Sequence, residues 1–97
     1  MLMRLHVVVQ GSEDTAEQMK VKLSKLQHKL SYSPSREQPS LFNCYEFFCT
    51  AKLEQSEIDV LKSQLNNDWE GEDDDCCAYG FNTKMYDPDM YYIQLQY

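Results

Sequence analysis

Six carboxylates, Asp68, Glu70, Glu72, Asp73, Asp74 and Asp75, fall within eight consecutive positions, and Cys76 and Cys77 follow directly. Acids this dense ligate a hard cation, keep a loop solvated, or meet a basic partner. A calcium loop opens D-x-[DN]-x-[DN]-G, and Asn66, Asp68, Glu70 and Gly71 follow that spacing. Its twelfth position needs a bidentate glutamate to close the oxygen shell, and here that position is Cys77. A small metal-binding domain is therefore the less favoured alternative.

The other residues able to do chemistry are scattered. Cys44 and Cys49 are five apart, so on one strand they point to opposite faces. There is no C-x-x-C pair, and His6 and His28 belong to different elements, which argues against zinc. A cysteine or histidine nucleophile needs a base and an orienting group, and no spacing supplies them. Glycines at 11, 71 and 80 form no phosphate-cradling loop. The expectation is a protein that is not an enzyme and takes no cofactor.

A carboxylate array is then best read as a binding surface. On an extended segment, carboxylates at i and i+2 stand roughly 6.5–7 Å apart. On a helix, neighbours at i and i+3 are roughly 5–6 Å apart. Both distances resemble the spacing of phosphates along a nucleic-acid strand. Glu54, Glu57 and Asp59 extend the array begun at Asp68, and Trp69 inside the run offers an apolar anchor. The expected partner is a basic nucleic-acid-binding protein or complex, steered by charge and weakened by salt. Nucleic acid itself is disfavoured, because a phosphate backbone needs Lys/Arg patches and the net charge is −7.

The charge is unevenly spread. Residues 1–36 carry six Lys or Arg against three acids, and residues 37–97 carry thirteen acids against three lysines. Such asymmetry suggests an electrostatic face with a partner. Seven tyrosines, four of them in the last twelve residues, offer a second surface: aromatic side chains serve sheet packing and interface hot spots alike.

The elements that must position these residues are legible from periodicity. Residues 3–10 alternate as a half-buried strand, with Met3, Leu5, Val7 and Val9 on one side. A helix follows, with Asp14 and Glu17 at capping-box spacing and Ala16, Met19, Leu23, Leu26 and Leu30 in one stripe. Residues 31–40 read as a loop and 41–50 as an inner strand. A second helix spans roughly 54–67 with Ile58, Leu61 and Leu65 inward. Strands at 76–84 and 90–97 end the chain, joined by a turn at 86–89. The expected fold is a single α/β domain over residues 1–97, a two-layer sandwich of order β-α-β-α-β-β. Its four-stranded sheet carries two helices on one face and is loosely ferredoxin-like. The 42% apolar content fits a globular chain, and no apolar run of about 20 residues is long enough to span a membrane. The first residues read as a strand and not a signal peptide, which points to the cytoplasm and reduced cysteines.

In size, acidity and lack of a catalytic motif, with DWEGEDDD as its focal run, the chain resembles the small acidic inhibitors encoded by phages and mobile elements. These include DNA mimics and anti-CRISPR proteins. The resemblance implies a phage protein acting in the host cytoplasm by occupying the DNA site of a partner such as a CRISPR effector complex. Immunity proteins that neutralise basic nuclease toxins share the profile and supply the alternative.

Overall fold

In the computed structural model the described residues are 1–65, 67–80 and 84–97. Strand β1 (Leu2–Gln10) is the centre of the molecule. Its alternation buries Met3, Leu5, Val7 and Val9 completely on one face. It pairs antiparallel with β4 (Cys44–Lys52) on one side and β7 (Met90–Gln96) on the other. Between β1 and β4 come helix α1 (Glu13–Leu26) and two short strands, β2 (Ser31–Tyr32) and β3 (Arg36–Glu37), both paired to β4. After β4 come helix α2 (Gln55–Leu65), β5 (Glu70–Glu72) and β6 (Asp75–Tyr79). The sheet runs β2-β4-β1-β7-β6-β5, with β3 beside β4, and every pairing is antiparallel.

This corrects the expected four-stranded sheet: seven strands form among the described residues. Three come from segments without periodicity. The proline-rich stretch 31–40 supplies β2 and β3, two residues each, too short for any alternation to register. The acidic run supplies β5, whose all-exposed residues carry no apolar signal. Strand pairing therefore occurs between the helices as well, so β1, α1, β2, β4, α2 and β7 follow the order β-α-β-β-α-β. Hairpin β5–β6 is inserted before the last strand.

Smaller corrections concern boundaries. The helix cap is Ser12 with Thr15, not Asp14 with Glu17. Ser12 Oγ accepts from the Thr15 amide at 3.4 Å, and Thr15 Oγ1 accepts from the Ser12 amide at 3.2 Å. Asp14 instead accepts from Gln18, and Glu17 pairs with Lys20 and Ser35. Residues 41–43 precede β4 as a loop, with Asn43 in the left-handed region (φ 62°) and Phe42 97% exposed. The strand expected at 76–84 ends at Tyr79, and its positions 81–83 lie outside the described residues.

One core joins the inner sheet face to both helices. Ala16, Met19 and Leu23 of α1 and Ile58, Leu61 and Leu65 of α2 pack with Leu5, Val7, Phe47, Ile93 and Leu95. Each of these fully buried side chains except Ala16 contributes about 1.5–3 kcal/mol relative to exposure. Among the described residues the opposite sheet face carries no helix, and it holds what the register leaves over.

Candidate functional site

The acidic run divides on folding. Glu70, Glu72, Asp73, Asp74 and Asp75 form the edge hairpin, with Asp73 and Asp74 at its turn and Glu72 paired directly across from Asp75. All five are exposed. Gly71 makes the hairpin possible. Its φ is +107°, and a Cβ there would stand 2.6 Å from the Asp75 carbonyl oxygen, so no L side chain fits. Like charges directly opposite destabilise a strand pair, so this hairpin is held despite its charge by backbone pairing to β7.

The remaining predicted residues separate from it. Asp68 is stapled to Lys84: its amide donates to the Lys84 carbonyl at 3.0 Å, and its Oδ2 accepts from the Lys84 amide at 2.9 Å. Trp69 packs half-buried against the core, its buried Nε1 without a partner among the described residues. Glu57 serves the start of α2. Its carboxylate accepts from the Glu54 amide at 3.0 Å and from Lys29 Nζ at 2.8 Å. Those bonds, the backbone one first, hold its pKa below the ordinary carboxylate value. Glu54 is exposed beside it. Asp59 lies closer to the hairpin. It accepts from Gln55 Nε2, which also donates to the Tyr97 hydroxyl, and the Tyr97 amide donates to the Asp74 carbonyl. Lys62 reaches the Asp73 carbonyl at 3.2 Å, so α2 runs alongside the turn.

No Lys or Arg among the described residues forms an ion pair with the five hairpin carboxylates; Lys62, at the turn, bonds the Asp73 carbonyl instead. Lys20 pairs with Glu17, Lys22 with Asp87, Lys29 with Glu57 and Arg36 with Glu46. Four of the six cations of residues 1–36 are thus taken up in separate pairs, while five of the thirteen acids of residues 37–97 share one edge.

A second cluster lies on the uncovered face. Glu46 is 2% exposed in β4, and its carboxylate accepts from His6 Nε2 at 2.8 Å and from Arg36 Nε at 2.6 Å. Burial pushes its pKa up, but the bonds from His6 and Arg36 outweigh that and hold it below the ordinary value. The His6 ring stacks on Phe48 with centroids 4.4 Å apart and meets the edge of Tyr92 at 5.8 Å. Tyr79 lies 5.0 Å from Tyr92. Burial raises the Tyr92 hydroxyl to about 12, so it stays a neutral phenol. This network went unread in the sequence, although its signal was a single acid, Glu46, inside the aromatic segment 41–50.

Among the described residues no group of three or more His, Cys, Asp or Glu is placed to hold a metal ion, and all four cysteines are free thiols. Asn66, the first position of the calcium-like spacing, lies outside the described residues. No described helix is long and apolar enough to cross a membrane. No family of proteins, curated protein or solved structure matches the chain.

Proposed function

We propose that this protein is a non-catalytic inhibitor of the DNA-mimic or anti-CRISPR type. Its acidic edge occupies the nucleic-acid site of a basic partner in the cytoplasm. The observation that carries the reading is the hairpin Glu70–Asp75: five exposed carboxylates on two paired strands and their turn, none in an ion pair among the described residues, with Lys62 Nζ bonded to the Asp73 carbonyl. Paired strands hold the acids in fixed relative positions, so binding loses less side-chain and backbone freedom than it would with a loose loop. Opposite charge speeds encounter and confers salt dependence. A CRISPR effector complex and a nuclease toxin present the same chemistry, a Lys/Arg-lined channel, and the captured partner distinguishes them.

The test is capture from host cytosol on the immobilised chain, with and without duplex DNA. The expected result is one basic nucleic-acid-binding protein or complex, released by added DNA and by high salt. Recovery of nothing, or of a partner indifferent to both, overturns the proposal.

A further inference from the structure

The uncovered sheet face carries its charge in an order set by the strand register. Residues paired directly across neighbouring strands point to the same side of a sheet. Arg4 on β1 is opposite Gln96 on β7, which is opposite Asp75 on β6, which in turn faces Glu72 on β5. Lys52 on β4 is opposite Leu2, two residues along from Arg4. Arg4 and Lys52 therefore stand one and two strands to one side of β7, and Asp75 and Glu72 one and two strands to the other. Between them β7 shows this face the neutral residues Tyr92, Gln94 and Gln96. The remaining charges near β4, Glu46 and Arg36, satisfy each other. Arg4, Lys52, Glu72 and Asp75 are exposed and in no ion pair among the described residues. Arg4 donates only from Nη2, to Gln96 at 3.3 Å, and Asp75 accepts from Gln94 and Gln96 through Oδ1 alone, so both keep unused bonding capacity.

We infer that this face pairs with the same face of a second copy, as a two-fold dimer whose axis runs along β7. The inference does not rest on the acidic-edge reading. An axis parallel to β7 and lying in the interface reverses the strand order, so β1 meets the second copy's β6 and β4 meets its β5. Each Arg4 then stands level with Asp75 of the partner subunit, and each Lys52 comes within a side chain's reach of Glu72 of the partner subunit. Gln94 and Gln96 meet their own copies on the axis, and a primary amide holds both donor and acceptor, so it pairs with itself. Aligned sheets pack about 10 Å apart with strand directions within about 30°. Five strands about 4.8 Å apart and about seven residues long give about 500 Å² per copy, about 1,000 Å² in all. That is the low end for a specific interface, so the dimer is weak and reversible. A uniformly basic partner is repelled by Arg4 and Lys52, and nucleic acid by Asp75 and Glu72; only a surface with the same order of charge matches both sides. Glu72 and Asp75 serve the acidic edge as well, so a basic partner and the second copy compete for them.

The test is sedimentation equilibrium of wild type, Arg4→Glu, Asp75→Arg and an equal mixture of the two variants, at low and high salt. Both variants are first checked for a wild-type circular dichroism spectrum and Tm. The expected result is a wild-type dimer with a Kd between about 1 μM and about 1 mM, weaker at high salt. Each variant alone sets like charges against each other twice and dimerises about tenfold more weakly or worse. The mixture regains association, because both contacts of the mixed dimer again join opposite charges. Should a variant fail to fold, isotope-filtered NOEs between labelled and unlabelled wild-type copies at Tyr92 and Gln94 carry the test, and their absence from a dimeric sample overturns the inference. A chain monomeric up to about 1 mM, a dimer indifferent to both substitutions, or a mixture that stays monomeric also overturns it. The acidic-edge proposal stands or falls separately, on capture of its partner.

Discussion

Glu46 shows how much one residue organises. A carboxylate buried in a sheet between His6 and Arg36 is stable only while ionised and bonded on both sides. Glu46→Gln presents an amide donor where a carboxylate oxygen stood, and one of its two partners loses its acceptor. It is expected to cost about 1–3 kcal/mol in urea unfolding at neutral pH. Because the folded pKa is lowered from 4.5, the stabilisation is complete above that value and is lost as pH falls through the lower folded value. The gap between wild type and Glu46→Gln therefore narrows in acid, and a gap independent of pH would contradict this account. Gly71 carries a constraint of another kind. Gly71→Ala forces a Cβ against the Asp75 carbonyl at positive φ and is expected to destabilise by about 1–3 kcal/mol, read as a lowered Tm.

At the scale of elements, the cap of α1 separates two readings of one helix start. Ser12→Ala removes the acceptor of the Thr15 amide and is expected to cost about 1 kcal/mol. Asp14→Ala, which removes only a contact to Gln18, is expected to cost well under that in the same denaturation experiment. The spacing in the sequence points to Asp14 with Glu17, and the helix begins two residues earlier, with Ser12 and Thr15 as its reciprocal cap. Long periodic elements were legible: β1, α1 and α2 repeat their apolar residues over enough positions for the period to show. β2, β3 and β5 were not, since two or three polar residues form strands only because β4 or β6 offers a paired backbone. The candidate site was half legible for that reason. The density of acids at 70–75 could be read directly. Their arrangement as a hairpin, and the departure of Asp68, Trp69 and Glu57 to structural contacts, depended on pairings distant in sequence. The cluster of rings around His6 depended likewise on the register of β4, β1, β7 and β6.

Taken whole, the molecule separates its charge. Lys20, Lys22, Lys29 and Arg36 each pair with one acid, and five carboxylates collect where the sheet ends. That edge also protects the protein, because a charged outer strand resists pairing with another sheet. Edge protection alone, however, would leave the affinity for a basic protein without specific dependence on the turn residues. Salt separates these roles: the range of exposed charges shrinks from about 8 Å at physiological ionic strength to about 3 Å at 1 M. The most direct measurement is therefore the affinity of the captured partner for wild type and for the triple variant Asp73→Asn, Asp74→Asn, Asp75→Asn, across a series of salt concentrations. The account predicts a variant that folds as wild type, binds at least tenfold more weakly at low salt, and loses affinity less steeply as salt rises. A variant with wild-type affinity and wild-type salt dependence would contradict it.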